Sequence, residues 1–256
     1  MKNVLNACPG LLPPRPHIRR LRAIAAVTAP ALLVLVLGSC ASSVAAALGP
    51  DGGASISVSA AVPALVASKL RALAQTGETA PLFDLAAIRR SLAKEAGVSV
   101  LSLSSGSPNS LQANFSVASL SRLAASPELQ NTALLTPERG PGWTGIRIRL
   151  ERGEASALAK LFPGIDPYIL DALSPPALEQ DPVSADEYRT MLTSVLGQKA
   201  MSELDSTRVS VSLTAPATVL ESGGGELHGK TLELSLPIID ILVLEKPVEF
   251  WLRWKS

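Results

Sequence analysis

The feature that most constrains this chain is an apolar run at residues 23–37, because it separates the part that can form a folded domain from the part that cannot. The residues before the run include five basic side chains, and residues 1–39 contain no acidic one. Basic residues followed by an apolar run are the layout of an export signal. The run is shorter than the roughly 20 residues that cross a bilayer, and Pro30 interrupts it. We predict that residues 1–39 are a signal peptide.

Cys40 follows directly on this segment. The sequence Leu37-Gly38-Ser39-Cys40 resembles the lipobox of lipoprotein signal peptidases, which implies cleavage before Cys40 and lipid on its sulfur. Bacterial lipoprotein cysteines carry a diacylglycerol, often with a third, amide-linked chain, and stable attachment takes two or more acyl chains. We therefore predict a membrane partner through Cys40, and a location in the cell envelope on the outer face of the inner membrane or on the outer membrane.

Cleavage before Cys40 would leave a mature chain whose net charge differs from that of the full sequence. The mature chain would have 217 of the 256 residues, with 18 Lys and Arg against 22 Asp and Glu, a net charge of −4. This acidic balance gives no reason to expect nucleic acid as a partner. Cys8 lies in the removed segment, so the mature chain has no second cysteine for a disulfide.

The mature sequence divides into a short leader and one domain. Residues 40–54 consist mainly of Ala, Ser and Gly, a composition that predicts a flexible tether. Residues 55–256 are long enough for a single domain with its own core. The carboxylate-bearing middle of this domain, residues 154–204, is predicted to be helical with several proline interruptions, and its clearest helix begins with a capping box at Ser184 and ends at Gly197.

Alternation of apolar and polar residues predicts strands in two groups of this domain. The first group comprises 56–59, a hairpin of 98–103 with 111–117, and 145–150; the second comprises 208–213, 217–221, 230–236 and 248–254, with hairpins at 223–225 and across 237–247. Helical spacing appears at 65–74, 85–96 and 117–125. These elements predict an α+β fold with a mainly antiparallel sheet and helices packed on one face.

A phosphate-loop pattern at residues 224–231 is the most specific motif in the chain. Gly224 is followed by four residues and then by Gly229, Lys230 and Thr231. A phosphate loop needs a helix to begin at the Lys-Thr pair, whereas the residues after Thr231 alternate as a strand does. We therefore predict no nucleotide binding.

Candidate residues for other cofactor or catalytic chemistry are few. The mature chain has one histidine, His228, so we expect no metal site, no cofactor and no Ser-His-Asp arrangement. Carboxylates do cluster in the 166–187 region: Asp166, Asp171, Glu179, Asp181, Asp186 and Glu187. A hydrolase would need two of them in one cleft, but helix caps and solvated turns explain them better, and the chain is only 4% aromatic, which disfavours a carbohydrate site.

Three aromatic residues lie in the predicted last strand. Phe250 and Trp254 share one face of that strand, while Trp251 lies on the other. Such residues most often fix a terminal strand in a core, although an indole also suits a ligand-facing or membrane-facing position.

Several segments resemble known envelope proteins. Residues 171–179, 213–216, 236–242 and the closing Trp-Leu-Arg-Trp resemble envelope lipoproteins of spirochaetes, especially treponemes, a family that implies no assigned activity. Residues 209–254 are distantly similar to LppM-type lipoproteins of mycobacteria, in which a Gly-rich hairpin precedes a Trp-bearing strand. That resemblance implies lipid binding.

Two hypotheses of function follow from the sequence. In the first, the domain is a non-enzymatic binding or structural module of the cell envelope, with an apolar ligand or an envelope protein as its partner. In the second, it is an envelope hydrolase that uses carboxylates of the 166–187 region. An enlarged apolar cavity under the sheet would favour the first, and a polar cleft with paired carboxylates would favour the second.

Overall fold

The structure is a computed structural model, and it describes residues 42–95, 97–127, 129–154, 173–178 and 182–256. The predicted signal peptide and Cys40 lie outside the described residues, so both stay predictions. Within the described residues, the α+β class with mainly antiparallel strands is confirmed, and the strands form two sheets.

The larger sheet contains seven strands in the spatial order β3-β4-β2-β1-β7-β10-β9. Their bounds are β1 Ser42–Leu48, β2 Ala54–Ala61, β3 Val98–Ser104, β4 Ser110–Val117, β7 Arg208–Thr214, β9 Glu226–His228 and β10 Thr231–Pro237. Neighbours pair antiparallel except for β1 and β7, which are parallel, with Ser42 opposite Val209. The first strand of the domain is therefore a central strand of the sheet.

The prediction that residues 40–54 form a flexible tether is wrong for Ser42–Leu48. This segment is β1, which pairs with β2 on one side and with β7 on the other. Its small Ala and Ser residues lack the bulk that usually marks a strand, but two flanking ladders satisfy its backbone hydrogen bonds. Its even-numbered residues Val44, Ala46 and Leu48 supply the apolar inner face.

The smaller sheet contains four antiparallel strands in the order β5-β6-β11-β8. Their bounds are β5 Leu135–Gly140, β6 Trp143–Leu150, β8 Val219–Gly223 and β11 Val248–Lys255. Strand β5 was not predicted, because Pro137, Glu138 and Arg139 obscure its alternation. The predicted strand at 145–150 is confirmed as part of β6.

The two predicted hairpins of the C-terminal half are wrong. Residues 223–225 carry the chain from β8 in the small sheet to β9 in the large one, and residues 237–247 lead from β10 back to β11. The glycines are needed because the chain passes very close to β11: a Cβ on Gly224 would overlap the Glu249 carbonyl group, and Gly224 has φ +81°. The three glycines at 223–225 therefore allow the chain to cross closely between the sheets, and they do not form the tight turn of a hairpin.

Six helices accompany the sheets within the described residues: α1 Ala64–Leu73, α2 Leu85–Leu92, α3 Leu120–Ala124, α4 Ala185–Leu196, α5 Gln198–Ser206 and α6 Ile238–Val243. The predicted capping box is confirmed, since Ser184 and Glu187 exchange hydrogen bonds at the start of α4. Gly197, with φ +82°, ends α4 as predicted. No helix in the described part of the chain is both long enough and apolar enough to span a membrane.

Four of these helices form a core of their own. α1 follows β2, α5 precedes β7 and α6 follows β10, so all three join the large sheet at the end where β1 begins. Together with α4 they bury Tyr188, Leu192, Ile239 and Val243, each with no exposed surface. The Tyr188 hydroxyl donates a hydrogen bond of 3.0 Å to the Leu173 carbonyl, which satisfies its one buried polar atom.

Candidate ligand-binding cavity

The two sheets face each other and share an apolar interior. One core cluster contains Phe115 and Leu213 from the large sheet with Ile146, Leu252 and Trp254 from the small one. Inward-facing residues alternate with outward-facing ones along each strand, as expected for two packed sheets. The sequence therefore places aliphatic side chains on both walls of the space between the sheets.

Part of this interior is not filled by side chains. A cavity of about 500 Å³ lies between the sheets, in the middle of the range of pockets that hold small molecules, roughly 300–1,000 Å³. Its walls are contributed by both sheets, by α2 and by Ile241 of α6. The large sheet contributes apolar side chains that include Val44, Ala46, Ile56, Val58, Val209, Val211 and Leu236, and the small sheet contributes Leu135, Ile148, Leu150, Val248 and Phe250.

The wall is almost entirely hydrocarbon. Only Glu95 and Ser212 among its residues have polar side chains. A water molecule is stable in a buried site when it finds two to four polar partners, and this wall offers far too few for the volume. The cavity therefore suits hydrocarbon.

The burial of the inward-facing side chains changes along the central strands of the large sheet. Along β1, the side chains pass from half-buried at Val44 to 6% exposed at Leu48, and along β7 they pass from half-buried at Val209 and Val211 to 2% exposed at Leu213. On β1 and β7, the inward-facing side chains are thus more buried at the end where β1 finishes than at the end where β1 begins.

Strands of the opposite wall show the same gradient. Val248 at the start of β11 is half-buried, whereas Leu252 has no exposed surface. In β6, Leu150 is half-buried and Ile146 is 2% exposed. Since Val248 pairs with Leu150 and Leu252 pairs with Ile146, burial increases along both strands from the same end of the small sheet.

Two of the six carboxylates named from the sequence lie in the described residues, and both serve the N-terminus of α4. Glu187 accepts hydrogen bonds from the backbone N–H of Ser184 at 2.9 Å and from its hydroxyl at 2.7 Å, and these bonds lower the pKa of Glu187. Asp186 pairs with Arg189 at 2.7 Å. The other four, Asp166, Asp171, Glu179 and Asp181, lie outside the described residues.

His228 lies in an exposed part of the short strand β9. Its Nε2 atom is 3.6 Å from a carboxylate oxygen of Glu226, and both side chains are mostly exposed. Thr231 begins strand β10, as the alternation predicts, so no helix follows the Gly-Lys-Thr sequence. Across the described ranges, no group of three or more His, Cys, Asp or Glu residues is arranged to hold a metal ion.

The predicted division of the C-terminal aromatic residues is confirmed. Phe250 and Trp254 are buried between the sheets, and Phe250 lines the cavity. Trp251 lies on the outer face, where Arg253 stacks between its ring at 5.0 Å and that of Trp143 at 4.7 Å. The aromatic residues thus make packing contacts on both faces of β11.

Charged residues on the same outer face form a connected network. Glu138 accepts hydrogen bonds from Arg147 at 2.9 Å and from Arg253 at 3.0 Å, and these bonds lower the pKa of Glu138. Arg147 also pairs with Glu249, and Arg253 pairs with Glu221 at 2.8 Å. These ion pairs and hydrogen bonds stabilise the outer face of the small sheet.

Comparison with known proteins gives a weak similarity to a solved structure. No protein-family model matches the chain, and no curated protein matches it. Among solved structures, the folded domain of the Mycobacterium tuberculosis LppM protein, determined by NMR, is similar with 14% identity and a TM-score of 0.40. The match covers 84% of this chain and 89% of that chain.

This likeness is weak. It agrees with the distant LppM-type resemblance of residues 209–254, while no comparison supports the resemblance to spirochaete lipoproteins. The cavity itself was not predicted residue by residue. Val44 and Ala46 belong to the segment interpreted as a tether, and a void between two layers has no local signature in sequence.

Proposed function

We propose that this protein is an exported lipoprotein of the cell envelope, anchored through Cys40, whose domain is a non-enzymatic module that binds an apolar ligand. The observation that carries the proposal is the cavity of about 500 Å³ between the sheets, lined by aliphatic and aromatic side chains. Pockets for small molecules are lined in this way and are largely formed before the ligand arrives.

The chemistry of the wall limits the class of ligand. Each methylene group moved from water into such a wall is stabilised by about 0.8 kcal/mol, whereas a buried polar group without a partner is destabilised by about 1–3 kcal/mol. The ligand should therefore place a hydrocarbon chain in the cavity and keep any polar head outside. Acyl lipids of the envelope fit this description.

The described residues give less support to the hydrolase alternative. Asp186 has an Arg partner and Glu187 completes the capping box, so neither is directed into the cavity. A purely structural role would be served by a fully packed interior such as the helical core. The open interior favours ligand binding over both alternatives.

A direct test uses the chain from residue 40 to 256 with the substitution Cys40→Ala, because the part of the chain from Cys40 onward forms one compact unit. The protein is purified without detergent, and native mass spectrometry is used to detect a co-purified lipid. After the lipid is extracted, the fluorescent fatty acid cis-parinaric acid is titrated into the protein. We expect saturable binding with one site.

Two neighbouring alanines of β1 provide a matched pair of variants. Ala46 lines the cavity, whereas Ala45 is exposed on the outer face of the same strand. Ala46→Phe should weaken parinaric acid binding by about tenfold or more, which corresponds to about 1.4 kcal/mol, and Ala45→Phe should leave it unchanged. Absence of binding to the Cys40→Ala chain, or equal binding by the two Phe variants, would contradict the proposal.

A further inference from the structure

We propose that the cavity holds one of the acyl chains carried by Cys40 of the same molecule, so that the protein's own anchor is its ligand. This inference rests on the proposed function and specifies the source of the apolar ligand. It follows from the position of Cys40 in the chain, from the extension of the cavity to the start of β1, and from the number of chains that a lipoprotein carries.

The position of Cys40 leaves almost no chain between the anchor and the cavity. Strand β1 begins at Ser42, and its first cavity-lining residue is Val44, four positions after Cys40. Four residues span at most about 13 Å when fully extended. The attachment point of the acyl chains is therefore within about 13 Å of the cavity wall, whatever the conformation of the intervening residues.

The cavity reaches the end of the large sheet that is closest to this anchor point. Val44, Val209 and Leu236, which lie at this end of β1, β7 and β10, all line the cavity, whereas Leu48 at the far end of β1 is buried and does not line it. The near end of the cavity therefore lies where a chain attached at residue 40 would arrive first.

Attachment also gives this chain an advantage over free lipid. A ligand joined by a short linker competes at an effective concentration in the millimolar range. Hydrocarbon is transferred between a bilayer and an apolar wall with little change in its surroundings, so proximity decides which chain enters. A free envelope lipid would have to displace a chain that is always present.

The number of acyl chains allows the protein to stay anchored. Stable membrane attachment takes two chains, and one chain alone binds only marginally. A cysteine with three chains can place one in the cavity and keep two in the bilayer. Occupation of the cavity is therefore compatible with the predicted location at the membrane.

The experiment compares the lipidated full-length product with the Cys40→Ala chain. Each protein is mixed with the same nanodiscs of phosphatidylglycerol and phosphatidylethanolamine, and cis-parinaric acid is titrated into both. We expect the Cys40→Ala chain to bind the probe and the lipidated protein to bind it about tenfold or more weakly. Equal binding by the two proteins would overturn the inference and leave the proposed function intact, with a free lipid as the ligand.

Thermal unfolding distinguishes a filled cavity from a mouth that the membrane merely covers. A chain inside the cavity should raise the melting temperature of the lipidated protein above that of the Cys40→Ala chain. Ala46→Phe should abolish that difference, and Ala45→Phe should preserve it. Weak probe binding without this stabilisation would overturn the inference. Failure of the Cys40→Ala chain to bind the probe at all would instead contradict the proposed function.

Discussion

The helical core and the core between the sheets are built from the same aliphatic residue types but are packed differently. In the helical core, Leu192 and Ile239 have no exposed surface. Between the sheets, the equally apolar Val44 and Val211 are half-buried and line empty space. Protein interiors are normally packed as densely as organic crystals, so an opening of this size is a specific feature of one region.

The difference indicates a division of roles within one domain. The helical core, with its tight contacts, fixes the end of β2, the start of β7 and the end of β10, and thereby holds this end of the large sheet in place. The core between the sheets can then remain incomplete without loss of the fold. Stability and ligand binding are therefore expected to respond to different residues.

The largest expected effect is the loss of stability when the helical core is truncated, compared with a truncation between the sheets. Leu192→Ala leaves a void among closely packed neighbours and should lower the free energy of unfolding by about 3 kcal/mol. Val211→Ala enlarges space that is already empty, so its cost should be about 1 kcal/mol or less. Urea denaturation of the Cys40→Ala chain measures both values, and equal costs would show that the cavity is packed in solution.

A somewhat smaller effect is expected when the cavity is filled. A ligand at 100 times its dissociation constant stabilises the folded protein by about 2.7 kcal/mol, which for a domain of this size raises the melting temperature by about 5–10 °C. The test adds parinaric acid to variants of the Cys40→Ala chain. The increase in melting temperature should persist in Leu192→Ala and disappear in Ala46→Phe. If the increase in melting temperature were lost in Leu192→Ala, the two cores would not act independently.

The smallest expected effect concerns the N-terminus of α4. Ser184→Ala removes the hydroxyl that accepts a hydrogen bond from the Glu187 backbone N–H at 3.3 Å, and should destabilise the protein by about 1 kcal/mol while leaving parinaric acid binding unchanged. Thermal melts with and without the probe test both parts. A change in probe affinity would connect the capping box to the cavity.

The same substitution should alter the dependence of stability on pH. Because the pKa of Glu187 is lowered in the folded state, its contribution is present above its ordinary value of 4.5 and is lost as the pH falls through the folded value. Ser184→Ala removes part of the cause of that shift. Unfolding curves between pH 6 and pH 3 should therefore show a shallower loss of stability in the variant.

Local patterns in the sequence predict much of the fold. The capping box at Ser184, the stop at Gly197 and the alternation in β6 and β11 are set by neighbouring residues, so they can be recognised without the rest of the chain. The α+β class follows from these elements. The division of Phe250 and Trp251 between two faces also follows from the period of a strand.

Features that depend on distant partners could not be predicted in this way. Ser42–Leu48 has a linker-like composition, and only the ladders with β2 and β7 make it a strand. The separation into two sheets depends on which strands pair, and the crossing at Gly224 was therefore mistaken for a hairpin. The cavity depends on the spacing between layers, to which residues from both ends of the chain contribute.

The parallel pairing of β1 with β7 has a consequence for how the domain folds. It joins the first described residues to a segment that begins at Arg208, so the large sheet stays incomplete until most of the chain is available. Contacts between residues so far apart in sequence carry a large loop-closure entropy and slow the search for the native state. Until β7 arrives, β1 has a free edge, and the domain reaches its final form late in synthesis or after it.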